Sequence, residues 1–227
     1  MHFRGIHIIT GTRAGVGKTT ATAAFVAQAM AAGEDPIVVK LAQTGESEGE
    51  GSLKNIRRLT GCGNTHEFAR YPDELPPAFA ARRAELPELD LDETADRLRD
   101  LAADGQPVFV EGTGGVLVRI SNWSIAELAA ELGAPVTVVT SPIPGSLNSS
   151  ELTIEACRAR GLDITGVVIG EVPEEKDLSA ECVIEQIPLM VSAPLLAMIP
   201  EGAEDLERDE FLGRAAGWFQ GSRASLD

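Results

Sequence analysis

Aromatic side chains are scarce in this sequence, with seven Phe, two Trp and one Tyr among 227 residues. The core must therefore be filled mostly by Ala, Val, Leu and Ile, which an ordinary apolar fraction of 44% supplies. Basic residues are scarce as well. Lys and Arg number 19 against 35 Asp and Glu, a formal net charge of −16. That balance argues against nucleic acid as a main partner, because neutralising phosphates takes clustered Lys and Arg. It also disfavours an anionic membrane surface, and reads as a solvated, soluble exterior. Cysteine is limited to Cys62, Cys157 and Cys182, odd in number and far apart. This is neither a disulfide framework nor a zinc-ligand spacing, and it points to a reducing compartment. His2, His7 and His66 do not cluster either. No apolar run is long enough to span a bilayer, and no signal-peptide pattern precedes the first strand. A cytoplasmic location is expected.

What is present is concentrated first in residues 6–20, which read I-H-I-I-T-G-T-R-A-G-V-G-K-T-T. An apolar run, Ile6–Thr10, ends in a glycine-rich turn, and an alanine-rich helix follows. The order is strand, phosphate-binding loop, helix. Glycines such as Gly15 and Gly17 let backbone N–H groups point inward at an anion, and the helix N-terminus adds partial positive charge. Lys18 supplies a full charge for the β- and γ-phosphates, and Thr19 a hydroxyl for Mg²⁺. The expected nucleotide-binding residues here are Gly15, Val16, Gly17, Lys18, Thr19 and Thr20. Five residues, Thr12–Val16, separate Gly11 from Gly17, one more than the common phosphate-loop spacing.

Further along, apolar strand-like runs alternate with amphipathic stretches. Strands are expected at Ile37–Lys40, Val108–Val110, Pro135–Thr140, Ile164–Gly170 and Leu195–Ile199, with Val116–Ile120 a short extended piece. Helices are expected at Lys18–Ala32, Leu53–Leu59 with Ser52 as N-cap, Pro77–Ala84, Leu91–Ala103, from the Ser124-x-x-Glu127 capping box to Leu132, from Ser149 or Ser150 to Arg160, Ser179–Ile187 and Asp209–Gln220. Gly63–Leu75 reads as irregular. The expected fold class is α/β, P-loop NTPase-like: a mostly parallel sheet with helices on both faces. No repeat, low-complexity tract or linker interrupts the chain, so one domain over residues 1–227 is expected. Ligands of such sheets bind at the carboxyl ends of the strands, which directs attention to the loops that follow them.

Two of those strand ends carry charge. Lys40 closes the second strand beside the phosphate loop, where a second ammonium can hold a transferring phosphoryl group or a substrate anion. Glu111 closes V-F-V and can hold Mg²⁺ opposite Thr19. Gly112, Gly114 and Gly115 would let backbone approach a ligand closely.

The stretch G-T-R-A-G-V-G-K-T-T, then V-V-K-L-A-Q-T-G, then V-E-G-T-G-G, resembles dethiobiotin synthetase, as does the loop Gly145-Ser146-Leu147-Asn148. The resemblance runs in order over essentially the whole chain and includes the longer phosphate loop. It implies an ATP-dependent ring closure on diaminopelargonic acid with CO₂, in a homodimer that uses Mg²⁺. By position, Lys18 and Lys40 would be catalytic, flanking the carbamate and the γ-phosphate, and Thr19 and Glu111 would hold the metal. Lys40, Thr44, Gly115 and Asn148 would bind the diamine, Asn148 across the dimer interface. Glu111, Gly112, Gly114, Gly170, Pro200, Glu201 and Gly202 would complete the nucleotide site.

The chain departs from the family pattern at several points. Ala14 replaces a loop threonine, and Arg13 precedes it. Leu41 replaces the proline after Lys40, and Ser52 stands where the family has a metal-binding aspartate. A hydroxyl is a poor substitute for a carboxylate on Mg²⁺, and Glu50 is the nearest acidic replacement. Gly170-Glu171 stands where the family often has an adenine-reading asparagine. Ser52 supports an alternative, a catalytically impaired or regulatory nucleotide-binding relative. A partitioning-type ATPase is a further alternative, with Arg13 a loose stand-in for the extra lysine of such loops.

Overall fold

A computed structural model describes residues 3–220. Its seven strands are β1 (Gly5–Gly11), β2 (Ile37–Thr44), β3 (Thr65–Tyr71), β4 (Pro107–Gly115), β5 (Val136–Thr140), β6 (Ile164–Val172) and β7 (Leu195–Pro200). Its α-helices are α1 (Lys18–Ala31), α2 (Ser52–Thr60), α3 (Pro77–Arg83), α4 (Leu91–Leu101), α5 (Ile125–Leu132), α6 (Ser146–Arg158), α7 (Leu178–Met190) and α8 (Arg208–Ala215). The strands form one sheet in the order β3-β2-β4-β1-β5-β6-β7, and every pairing is parallel. No helix among the described residues is long and apolar enough to cross a membrane.

Successive side chains on a strand point to opposite faces, so each central strand feeds two cores. Ile8, Val108, Val110, Val136 and Val138 face one way, with Leu98 of α4 and Ile125 and Leu128 of α5. Ile9, Val38, Phe109, Val139 and Val168 face the other way, with Phe25 of α1, Ile56 of α2 and Phe211 of α8. The few aromatic rings gather on this second face. Phe109 lies 5.2 Å from Phe3 and 6.1 Å from Phe25, centroid to centroid. The first face is lined almost wholly by aliphatic side chains.

Several expectations need correction. Gly63–Leu75 is not irregular throughout, because it contains β3. This edge strand, T-H-E-F-A-R-Y, is half-buried along most of its length and so carries no apolar run to read. Strand β2 continues past Lys40 to Thr44, and β4 past Val110 to Gly115. Val116–Ile120 is a turn after β4 rather than a strand; only Arg119 bridges, to Ser124. Helix α2 is capped by Gly51, with φ 103°, and Ser52 is already helical. Helix α6 starts at Ser146 behind Gly145, earlier than Ser149 or Ser150; Ser150 instead donates to Thr140 Oγ1 at 3.1 Å. Helix α7 runs to Met190, beyond Ile187, and α8 stops at Ala215, short of Gln220. The capping box at Ser124 and Glu127 forms with both of its bonds.

Candidate active site

The phosphate loop leaves β1 at Gly11 and enters α1 at Lys18. Gly15 and Gly17 hold φ values of 66° and 80°, and Gly17 is the N-cap of α1. The backbone of residues 13–17 turns tightly ahead of the helix. The loop's N–H groups, together with the start of a 14-residue helix, form an anion cradle. Val16 is fully buried and anchors the loop in the core, and Thr20 is buried behind it. Gly170, at the end of β6, backs the loop closely: a Cβ there would lie 2.5 Å from the Val16 carbonyl oxygen.

Strand alternation decides which side chains meet in this cradle. Val38 and Phe109 face α1, so Lys40 and Glu111, two residues on, face it as well. Lys40 and Glu111 are also partners in the β2–β4 register. Lys40 Nζ donates to Glu111 Oε1 at 2.6 Å and to the Gly112 carbonyl at 3.0 Å. Thr19 Oγ1, in the first turn of α1, lies 3.2 Å from the same Oε1 and 3.1 Å from Ser52 Oγ. Among the described residues, Glu111 Oε2 is buried without a hydrogen-bond partner. Burial pushes the Glu111 carboxyl up, but Lys40, Ser52 and Lys18 together hold it below its ordinary value. Lys18 Nζ donates to the Arg13 carbonyl at 2.9 Å. Burial pushes its ammonium down to about 8, with Lys40 and Arg13 adding to the effect and Glu111 opposing it.

This set of oxygens fits a hard divalent cation. Two hydroxyls and a carboxylate with one free, buried oxygen are the donors such an ion takes. Thr19 and Glu111 would hold it, with Ser52 Oγ beside them. Glu50 does not replace the missing aspartate: its carboxylate lies at the surface, paired with Lys54 at 2.6 Å. Ser52 is set in place by Gln43, whose Oε1 accepts from Ser52 N at 3.1 Å. Gly51 makes room for that amide, because a Cβ there would meet Gln43 at 2.5 Å.

A cleft of about 700 Å³ opens between the start of the loop, the ends of β2 and β4, and α6. Thr44 and Gly115 line it, as do Arg13, Glu74 and Leu152. The glycines after Glu111 are also closely packed. The space beside Gly112 is taken by Ile125 Cδ1, and that beside Gly114 by Val118 Cγ2. Gly115 lies against the Thr12 carbonyl. Asn148 is exposed on the first turn of α6 and does not line the cleft.

A second cleft, of about 510 Å³, lies on the other side of the loop, lined by Pro142, Glu171, Glu201 and Glu204 among others. Pro200 ends β7 there, and Gly202 turns the chain with φ 75°. Burial and the nearby Glu204 push the Glu171 carboxyl up, Glu201 adds to this, and Arg13 and Lys18 oppose it. The role of Gln43 in placing Ser52 was not legible beforehand. Gln43 carried no signal, since three residues beyond Lys40 a continuing strand would ordinarily place it on the opposite face from the site.

Comparison with known proteins agrees with this geometry. A family model described as an AAA domain matches residues 7–208. The ATP-dependent dethiobiotin synthetase BioD of Corynebacterium kroppenstedtii is 44% identical over 215 residues, covering 94% of each chain. That of Frankia casuarinae is 46% identical over 216 residues, covering 94% of this chain and 91% of its own. Among solved structures, a ParA family ATPase from Chlorobium tepidum superposes with a TM-score of 0.60 at 12% identity, covering 95% of this chain and 93% of its own. The MinD cell division protein of Aquifex aeolicus gives 0.56 at 17%, covering 93% and 87%. At such identities these two share the fold alone. The sheet is that of P-loop ATPases, and the sequence relatives are ligases: the chain belongs to the ATP-dependent dethiobiotin synthetase family.

Proposed function

We propose that the chain, acting as one P-loop domain in a homodimer, closes the cyclic urea of dethiobiotin on diaminopelargonic acid, using ATP, CO₂ and Mg²⁺. The observation that carries this reading is the meeting of Lys40, Glu111 and Thr19 beside Lys18, at the edge of a cleft lined by Thr44 and Gly115. Carbon dioxide joins one amine of the diamine, forming an N–C bond as that nitrogen loses a proton. The resulting carbamate lies in the cleft, with an oxygen toward the γ-phosphorus. Attack forms a P–O bond and breaks the bond to the β–γ bridging oxygen, whose electron pair leaves with ADP. The second amine then attacks the carbamoyl carbon, phosphate leaves with the C–O electron pair, and the nitrogen gives up its proton. Mg²⁺ held at Thr19 and Glu111 would neutralise phosphate charge.

The protein's part in these steps is placement and charge rather than covalent catalysis. Lys18 holds the outer phosphates. Lys40, kept straight by Glu111 and the Gly112 carbonyl, presents its charge between carbamate and γ-phosphate. Thr44 contacts the diamine, and Asn148 with its loop meets the substrate's carboxylate from the other subunit. Gly170, Pro200, Glu201 and Gly202 border the nucleobase.

The direct test is product formation with Mg-ATP, bicarbonate and diaminopelargonic acid, read by mass spectrometry. Dethiobiotin should form, and Lys40→Ala should lower the rate by about 100-fold or more. No product from folded protein that still binds a nucleotide would overturn the reading. The impaired-relative reading is favoured only by the hydroxyl of Ser52 where a carboxylate would sit. In the same assay it requires a large gain in turnover on Ser52→Asp.

A further inference from the structure

Arg13 is the charged side chain of the phosphate loop that the reaction above leaves unused. It lies inside the anion cradle, where its carbonyl accepts from Lys18 Nζ. Its side chain is exposed and folded back over the loop. Nη1 donates to the Ala14 carbonyl at 2.8 Å, and Nη2 to Ser141 Oγ at 3.2 Å. Nη1 also passes 3.6 Å from where a Cβ on Gly15 would stand, so the guanidinium covers the loop rather than pointing away from it. Both partners are neutral, and among the described residues Arg13 forms no ion pair. A guanidinium has five N–H donors in a planar fork, so most of this one's are uncommitted. The residue lines the 700 Å³ cleft together with Thr44 and Gly115.

The charge inventory says what such a group is for. An anionic carbamate oxygen must approach an already anionic phosphoryl group. Of the cations facing that encounter, Lys40 shares its charge with Glu111 at 2.6 Å, and the metal that Thr19 and Glu111 would hold serves the phosphates. Lys18 remains, and it already serves the phosphates. A further unpaired cation with a fork matching two phosphoryl oxygens stands at the rim. Resting on the phosphoryl transfer proposed above, we propose that Arg13 is a catalytic residue of that step: its guanidinium leaves the Ala14 carbonyl and Ser141 Oγ and donates to two oxygens of the transferring phosphoryl group. The bond changes are those already given. Arg13 neither gains nor loses a proton, and its contribution is to the charge on the equatorial oxygens as the P–O bond to ADP breaks.

The experiment compares wild type with Arg13→Ala and Arg13→Lys by steady-state kinetics and by calorimetric affinity for ADP and for ADP with aluminium fluoride, a mimic of the phosphoryl group in transfer. Arg13→Ala should lower kcat by about 100-fold while the KM for ATP moves by less than about threefold. Its affinity for ADP with aluminium fluoride should fall far more than its affinity for ADP. Arg13→Lys should recover part of both losses, since it restores charge without the fork. Should Arg13→Ala not fold, Arg13→Gln carries the same comparison. A kcat within about twofold of wild type would overturn the assignment. So would equal losses for ADP with and without aluminium fluoride, which would make Arg13 a contact of the bound nucleotide only. The fluoride comparison needs no diamine, so wild type that makes no dethiobiotin would strike at the proposed reaction, whereas an unchanged Arg13→Ala strikes at this residue alone.

Discussion

Lys18 is buried among like charges, and its ammonium is held down to about 8 from 10.5. Two pH dependences of opposite sign follow. Nucleotide phosphates need the protonated form, so affinity for ATP should be flat below about pH 7 and fall up to about tenfold between pH 8 and 9. Calorimetric titration across that range reads it. Stability moves the other way. The unfolded chain binds more protons at this residue than the folded one between about pH 8 and 10.5, so this lysine's contribution to stability grows through that window. A melting temperature that fell in parallel with affinity would show that the affinity loss is general unfolding and not Lys18. Lys40 and Glu111 were legible because each interrupts an apolar strand run, and Lys18 because it follows the glycines of the loop at the start of a helix. Gln43 and Ser141 were not, since they act on Ser52 and Arg13, partners that no periodicity connects to them.

At the scale of elements, the end of β6 is built against the phosphate loop with no room to spare. A Cβ at Gly170 would lie 2.5 Å from the Val16 carbonyl oxygen and 3.4 Å from Gly17 Cα, both backbone atoms that a side-chain rotation cannot relieve. Gly170→Ala should therefore push the loop and β6 apart. ATP affinity should fall about tenfold, a loss of ~1.4 kcal/mol, while the far-UV circular dichroism stays that of wild type. Gly63→Ala is the control, since nothing lies within 4 Å of a Cβ there and no change is expected. The central elements could be read from sequence because strands buried on both faces are continuous apolar runs. The edge strand β3 could not, since its exposed flank leaves polar and apolar residues mixed. Ser52 shows the same boundary at a helix start. A serine before an apolar helix reads as a cap, but here Gly51 supplies the cap, and the serine hydroxyl is turned into the site instead.

At the scale of the whole molecule, a net charge of −16 surrounds a small cationic island of Arg13, Lys18 and Lys40. Leu117 and Leu152, 43% and 58% exposed, stand at the rim of the 700 Å³ cleft. Large apolar side chains in that position suit a surface covered by a second copy. Light scattering should give twice the 24.0 kDa of one chain. Leu152→Asp should shift the mass toward one chain and raise the KM for the diamine more than that for ATP. The neighbour relations of the strands were beyond sequence reading, because periodicity marks a strand without naming its partners. That order matters for how the protein is made. Strand β4 is inserted between β1 and β2, so the loop synthesised first acquires its carboxylate only when residues near 111 have emerged and threaded between two earlier strands. A nascent chain ending before β4 holds the phosphate loop and the helix behind it, yet has neither Glu111 nor the register partner that steadies Lys40. The complete site, with its carboxylate beside the loop, can therefore form only after the middle of the chain has been made.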